Sequence, residues 1–131
     1  MNGNSVKAYS LSADGDKKVA LNFRVREFAC NDGSDAIFIS PKLVDILQQV
    51  RTHFGKRVTI TSAYRTVAYN KKVDGAANSQ HIYGTAADIQ VADTAPSKVA
   101  NFVETLLPNT GGLGRYPTFT HIDVREHKAR W

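Results

Sequence analysis

The stretch from Ser79 to Asp88 constrains this chain more than any other, because it places a histidine and a carboxylate seven residues apart around a glycine. It reads Ser-Gln-His-Ile-Tyr-Gly-Thr-Ala-Ala-Asp, and Gly84 allows the chain to reverse between His81 and Asp88. The run that follows, up to Val91, is short and partly β-branched, which predicts a strand. His81 and Asp88 are therefore candidate metal ligands at the edge of a turn and a strand.

A second cluster near the end of the chain supplies another histidine and carboxylate. The run from Thr120 to Arg125 has the pattern of a strand, so His121 and Asp123 share one face. Two histidines and one aspartate give a tetrahedral metal three protein ligands and an open fourth position, as in catalytic sites. From spacing alone, a capped turn with a surface histidine is the simpler explanation of the pattern.

Length, charge and apolar content fit one ordinary globular domain. The 131 residues can bury a core without disulfides, and 42% of them are hydrophobic. The net charge is +5, but lysine and arginine are spread from Lys7 to Arg130, which does not favour a nucleic-acid surface. The charge suits a general attraction to an anionic polymer such as a cell wall, or solubility alone.

The sequence carries no sign of a disulfide framework or of a membrane segment. Cys30 has no partner for an internal disulfide and is expected to be a structural residue. The polar start, Met1 to Ser5, lacks the apolar centre of a signal peptide, and no apolar run approaches the roughly 20 residues of a membrane span. We expect a chain made in the cytoplasm, without a membrane span, that acts as a monomer.

The pattern of apolar residues predicts alternating helices and strands. Residues 1–20 are expected to be a polar lead-in segment with an edge strand around Val6 to Leu11, followed by one domain over residues 21–131. Ser40 and Pro41 predict the start of a helix that Gly55 ends. A second amphipathic helix is predicted near residues 96–107, and a closing hairpin is predicted around residues 117–118.

An arginine follows the predicted buried strand from Arg57 to Ser62. Arg65 is well placed for anion recognition there, because its planar guanidinium can hold a carboxylate through two hydrogen bonds. Taken alone, a surface salt bridge is the simpler interpretation of this residue.

Together these pieces resemble a known family of enzymes. The pattern Ser79-x-His81-x-x-Gly84-x-Ala86-x-Asp88 matches the zinc-site signature of the D-alanyl-D-alanine carboxypeptidases and dipeptidases, a family that includes phage L-alanyl-D-glutamate endopeptidases. The resemblance extends over about residues 20–131. The further segments that carry it are Ser62 to Arg65, Gly111 to Tyr116, Phe119 to Arg125 and Ala129 to Trp131.

The resemblance implies a fold and a set of site residues. The fold would be α+β, with helices packed on a small antiparallel sheet, as in the hedgehog domain and the zinc D-alanyl-D-alanine peptidases. His81, Asp88 and His121 would bind one zinc ion, and Arg65 would contact the substrate carboxylate or the developing oxyanion. Ser79 would orient the loop or a ligand.

The implied substrate is a peptidoglycan stem peptide or cross-link, cleaved by an activated water. Tyr83, together with Tyr64 and Tyr116, is a candidate to line the substrate cleft, although such residues are often simply packing. Terminal D-alanyl-D-alanine, L-alanyl-D-glutamate and cross-link bonds all remain open as the scissile bond. The missing signal peptide favours a prophage endolysin that reaches the cell wall after phage-type release.

One residue departs from the family pattern. Many members carry an acid three residues before the last zinc histidine as the base, and here that residue is Thr118. Asp123 is the substitute candidate, as a base or as a carboxylate that orients His121. His127 is a further possibility, although a solvated tail histidine is the simpler interpretation. Thr118 also keeps open a different class of protein, a zinc-stabilised module that binds cell wall without turnover.

Overall fold

The structure, a computed structural model, describes residues 5–131 and has an α+β fold, as predicted. Single-turn 3₁₀ helices lie at Val25–Phe28 and Gln80–Tyr83. The strands are β1 (Lys7–Ser10), β2 (Lys18–Ala20), β3 (Phe23–Arg24), β4 (Ala36–Ile39), β5 (Val58–Ser62), β6 (Ala86–Val91), β7 (Gly112–Arg115), β8 (Thr120–Asp123) and β9 (Ala129–Arg130). The helices are α1 (Leu11–Asp14), α2 (Pro41–Phe54), α3 (Val67–Lys72) and α4 (Pro96–Leu106).

The first part of the chain forms two small antiparallel pairs of strands. The predicted edge strand is present as β1, which pairs with β4, and β2 pairs with β3. Tyr9, Leu11 and Val19 from this part pack against the hydrophobic core. The domain boundary at residue 20 stays a prediction, and the polar start of the chain, residues 1–4, lies outside the described residues.

Helix α2 begins and ends where the sequence predicts. The hydroxyl of Ser40 accepts a hydrogen bond from the amide of Leu43 at 3.3 Å, and Pro41 occupies the first turn, where its missing N–H costs nothing. Gly55 ends the helix in the left-handed conformation, with φ of 62°. The buried side of the helix, which includes Leu47 and Val50, faces the core.

The main sheet has five strands in the order β5-β6-β8-β7-β9. Its first four strands are antiparallel neighbours, as expected, and β7 and β8 form the predicted hairpin. Strand β9 differs, because it adds to β7 in parallel. The chain leaves β8, crosses the end of the sheet and returns beside β7, so the final residues close one edge.

The two faces of this sheet have different surroundings. Ile89, Leu113 and Ile122 are buried on one face, in the same core as residues of α2 and α4. Because successive side chains of a strand alternate, Asp88 and His121 lie on the opposite face. The helices therefore support the sheet from behind, and the candidate ligands face away from them. No helix within residues 5–131 is both long and apolar enough to cross a membrane.

Candidate metal centre

The register of the sheet brings two of the candidate ligands together. Asp88 on β6 is the direct cross-strand partner of His121 on β8, a pairing that places side chains within contact distance. The third, His81, arrives from the 3₁₀ helix that precedes β6. Ligand atoms of all three residues lie within 4.8 Å of one another, and all three side chains are buried.

Gly84 produces the reversal that brings His81 back over Asp88. Its φ of 74° lies in the left-handed region, and a Cβ at this position would overlap the carbonyl oxygen of Phe38. The carbonyl of Gly84 also accepts a hydrogen bond from the amide of Ser40 at 3.0 Å. The glycine between the two ligands is therefore required by conformation and by space.

His81 is held with one ring nitrogen away from the centre. Its Nδ1 lies 2.7 Å from the carbonyl oxygen of Ala63, and a carbonyl can only accept, so Nδ1 carries the hydrogen. Nε2 lies 3.3 Å from Oδ1 of Asp88. The hydroxyl of Ser79 accepts a hydrogen bond from the backbone amide of His81 at 3.2 Å and so fixes the turn that carries it.

His121 is oriented in the same manner by a different partner. Its Nε2 lies 2.8 Å from Oδ2 of Asp123, and its Nδ1 lies 2.9 Å from Oδ1 of Asp88. Because a carboxylate can only accept, Nε2 donates to Asp123, and Nδ1 donates to Asp88 when the ring is protonated and presents a lone pair there once that proton is lost. Asp123 and Asp88 therefore lie on opposite sides of the His121 ring.

These three side chains fit a zinc ion by their chemistry. Two imidazole nitrogens, each with its other nitrogen donating to an oxygen, converge on one carboxylate, which is a common set of protein ligands for zinc. Within residues 5–131 this is the one cluster of three or more His, Cys, Asp or Glu side chains with such geometry. The three predicted metal ligands are thus brought together.

The charges of the centre follow from these contacts. Burial disfavours the ionised form of Asp88, but hydrogen bonds from His121 and His81 outweigh it and hold the pKa of Asp88 below its ordinary value. Burial likewise lowers the pKa of His121, but its bonds to Asp123 and Asp88 outweigh burial and raise that pKa. A cation placed among these groups meets an ionised carboxylate.

Asp123 is completely buried and its oxygens are fully engaged. Oδ1 accepts from the amide of Gly112 at 2.9 Å and from Nε of Arg125 at 2.8 Å, and Oδ2 accepts from Nη2 of Arg125 at 2.7 Å. Burial opposes ionisation, but the bonds from His121 and Arg125 hold the pKa of Asp123 below its ordinary value. A Cβ on Gly112 would overlap the carboxylate, so glycine gives it room.

Arg65 lies beside the centre with its guanidinium held on two sides. Nε donates to the hydroxyl of Ser62 at 3.1 Å, and Nη1 donates to Oδ1 of Asn70 at 3.2 Å. Nη2 lies 3.7 Å from Oδ2 of Asp88. The strand-end arginine therefore presents a fixed positive charge next to the candidate ligands.

An open cleft of about 490 Å³ lies above the centre. Its lining includes Arg65, Ser79, His81, Asp88 and His121, and its one further carboxylate is Asp74. The exposed side chains of Tyr83, Thr118, His127 and His53 are not among its lining residues. Of the residues predicted to contact substrate, Arg65 and Ser79 therefore line the cleft, whereas Tyr83 does not.

One wall of the cleft consists of aromatic side chains, of which Tyr116 was a predicted cleft residue and Phe119 and Trp131 were not. Nε1 of Trp131 donates to the hydroxyl of Tyr116 at 2.7 Å, and the Tyr116 ring stacks on Phe119. The Trp131 ring lies 5.0 Å from that of His121, with Arg125 over its face at 5.3 Å. The alternation that places His121 and Asp123 on one face of the strand also predicts Phe119 and Arg125 on that face. No local sequence pattern predicts that Trp131 lies beside them.

The fold and the site together define a class of protein, an α+β domain whose sheet carries a buried His-Asp-His group, compatible with metal binding, at the floor of a cleft. Comparison with known proteins identifies the family. Residues 20–123 match the family described as Peptidase M15, and the chain belongs to this family.

Two curated relatives show which proteins this chain resembles. It is 33% identical to the Haemophilus influenzae protein named probable peptidoglycan L,D-endopeptidase MepK, over an alignment of 96 residues that covers 66% of this chain and 50% of the relative. It is 46% identical to the zinc D-Ala-D-Ala carboxypeptidase of Streptomyces albus G, over an alignment of 107 residues that covers 63% of this chain and 42% of the relative. The chain therefore spans half or less of the length of these relatives.

Proposed function

We propose that this protein is a zinc-dependent metallopeptidase that hydrolyses peptide bonds in peptidoglycan stem peptides or cross-links. The observation that carries the proposal is the convergence of His81, Asp88 and His121 at the floor of an open cleft. A structural zinc site takes four protein ligands, whereas three leave a position for water and substrate. Membership of the peptidase M15 family supports the same reaction class.

The protein side chains have separate tasks in this reaction. His81, Asp88 and His121 would hold the zinc, which supplies a Lewis acid and a bound water whose pKa is lowered toward neutrality. Arg65 lies next to Asp88 and stabilises negative charge on the substrate, either a carboxylate or the oxyanion that develops at the scissile carbonyl. Ser79 fixes the turn that carries His81.

Asp123 is proposed to orient His121 rather than to accept a proton from water. Its exposed fraction is 0%, and its oxygens already accept hydrogen bonds from Gly112, Arg125 and His121. It also lies on the far side of the His121 ring from Asp88. A base must come within hydrogen-bond reach of the water that it deprotonates, and this geometry keeps Asp123 away from the cleft.

The substrate class is inferred from the charge of the cleft and from the relatives. Arg65 and Arg125 both line the cleft, which suits short peptides that carry free carboxylates. The two relatives are named for peptidoglycan L,D-endopeptidase and D-Ala-D-Ala carboxypeptidase activities. A substrate of this kind places the action at the cell wall, as expected for a prophage endolysin or a wall-remodelling enzyme acting as a monomer.

A second candidate function is zinc-dependent binding of cell wall without turnover. The observation that favours it is Thr118, which replaces the acid that many family members use as a base and does not line the cleft. Its carbonyl oxygen accepts a hydrogen bond from Gln90 at 3.0 Å.

Digestion of purified peptidoglycan and of defined stem peptides distinguishes these functions. The protein is loaded with one equivalent of zinc, the products are read by mass spectrometry, and a chelated sample is the control. Cleavage that the chelator abolishes is the expected result, and the product masses name the bond. Retention on peptidoglycan without cleavage, by a protein that holds one zinc ion, would support the binding module instead.

A further inference from the structure

Asn70 lies beneath the cleft, and the proposed reaction gives it no task. It is the one buried residue of α3, with an exposed fraction of 3%. Its side chain uses both ends, since Oδ1 accepts from Nη1 of Arg65 at 3.2 Å and Nδ2 donates to the carbonyl oxygen of Ala76 at 2.9 Å. A buried amide is costly unless both ends are satisfied, and here both partners belong to the cleft.

The loop of residues 74–79 folds directly over this amide. The backbone N–H of Gly75 donates to the backbone carbonyl of Asn70 at 2.8 Å. A Cβ on Gly75 would overlap Oδ1 of Asn70, so only glycine allows the loop to approach so closely. Backbone and side chain of Asn70 therefore hold the same loop at two adjacent points.

Two chains of hydrogen bonds connect Asn70 to the candidate zinc ligand His81, one through the loop and one through Arg65. On the loop side, the carbonyl of Ala76 also accepts from the amide of Ser79 at 3.0 Å, and the hydroxyl of Ser79 accepts from the amide of His81. On the other side, the backbone amide of Arg65 donates to the carbonyl of His81 at 3.0 Å. Asn70 thus connects the arginine to the loop that leads into His81.

We infer that Asn70 is a positioning residue that sets the guanidinium of Arg65 and the loop wall of the cleft relative to each other. This inference rests on the proposed function. An amide is needed because one end must accept from a cation while the other donates to a carbonyl. Aspartate keeps the acceptor toward Arg65 but turns an oxygen toward Ala76, and alanine offers neither contact.

The test compares Asn70→Ala and Asn70→Asp with the control Asn101→Ala. Asn101 is a matched control, because its Oδ1 accepts from Nη2 of Arg115 at 3.0 Å on the exposed side of α4, outside the cleft. Zinc content and the unfolding midpoint are measured for every variant. We expect N70A to lower kcat roughly tenfold or more, from the loss of a hydrogen bond to a charged group, and to raise KM. We expect N70D to recover most of kcat while KM stays raised.

Dependence on Arg65 is tested by a double variant. If Asn70 acts through Arg65, adding N70A to Arg65→Ala lowers kcat little further, because the group that Asn70 holds is already absent. Independent effects that multiply in the double variant would overturn this part of the inference.

Hydrogen exchange provides a measurement that does not need turnover. We expect the amide of Ser79 to exchange faster in both N70A and N70D, and the Nη1 hydrogens of Arg65, which donate to Asn70, to exchange faster in N70A alone. Kinetics and exchange equal to those of N101A would overturn the inference. If N70A does not fold, the test rests on N70D, and a KM and a Ser79 exchange rate equal to those of the parent would overturn the inference. If the parent protein cleaves no stem peptide, the proposed function fails, and the exchange rates still decide the role of Asn70.

Discussion

Two hydrogen bonds that point away from the cleft determine what His81 and His121 can do. The carbonyl of Ala63 takes the N–H of one ring and Asp123 takes the N–H of the other, so the remaining nitrogens face Asp88. A metal ligand must present a lone pair, which His81 does with Nε2 and His121 does with Nδ1 once that nitrogen has lost its proton. The centre is therefore a product of five side-chain and backbone groups rather than of three ligands alone.

Replacing Arg65 with alanine should separate metal binding from turnover. Arg65 contacts Asp88 only at 3.7 Å, so R65A is expected to keep one zinc ion per chain. Loss of the positive charge beside the developing oxyanion should lower kcat roughly 100-fold. Zinc analysis checks the metal content and steady-state kinetics check kcat. A kcat equal to that of the parent would contradict the role of Arg65 in stabilising the oxyanion.

The variant Asp123→Asn tests whether this carboxylate orients a ligand or accepts a proton. As an orienting residue it should act through the metal, so D123N should weaken zinc affinity roughly 10- to 100-fold, and excess zinc should restore most of the turnover. Competition with a chelating dye measures the affinity. The exposed Asp93→Asn is the matched control. Unchanged zinc affinity with turnover reduced roughly 100-fold would instead identify Asp123 as the base.

The turn between the 3₁₀ helix and β6 depends on Gly84 more than on any other residue of that turn. We expect Gly84→Ala to destabilise the protein by about 3 kcal/mol, because it adds an overlap with the Phe38 carbonyl to the cost of the left-handed conformation. Gly55→Ala is the control, since Gly55 is also left-handed but a Cβ there meets nothing within 4 Å. Denaturant unfolding of the two variants measures the difference, and equal losses would contradict the argument from space.

The edge strand β9 is tied to α4 by an ion pair that should make its attachment depend on pH. Arg130 holds Glu104 through Nε at 2.8 Å and Nη2 at 2.9 Å, and these bonds hold the pKa of Glu104 below its ordinary value of 4.5. A lowered pKa contributes stability that is present above pH 4.5 and is lost as the pH falls through the folded-state value.

Glu104→Gln should therefore be less stable than the parent near neutral pH, with a difference that shrinks in acid. Thermal unfolding between pH 3 and pH 7 measures this, and the flat, salt-independent difference expected from lost packing would contradict it. A lower stability of the variant at neutral pH is expected to accompany faster amide exchange in β9.

Elements with strong local signals were predictable from the sequence, whereas long-range contacts outside the family's zinc-site motif were not. The prediction of α2 is confirmed because Ser40, Pro41 and Gly55 are local cap signals that do not depend on the rest of the fold. The parallel addition of β9 to β7 was not predicted, because strand pairing is set by packing across the chain. The cleft contacts of Trp131 and the hydrogen bonds of Asn70 to Arg65 and Ala76 likewise depend on packing across the chain.

The whole fold serves to bring residues from three distant segments to one point. The core on one face of the sheet fixes the register of β6 and β8, and that register sets Asp88 opposite His121. The spacing of His81 and Asp88 indicated the site and the family resemblance added His121, and the sheet shows how the segment around His121 reaches it. The sequence motif therefore identified the ligand residue types, and the sheet topology set the distances between them.

Zinc content measured by mass spectrometry after extensive dialysis tests whether His81, Asp88 and His121 form the metal centre. We expect one zinc ion per chain in the parent and in His127→Ala, whose exposed histidine lies outside the cleft, and almost none in Asp88→Ala. Circular dichroism shows whether each variant is folded. Equal zinc in the parent and in a folded Asp88→Ala would contradict the assignment of His81, Asp88 and His121 as the metal centre.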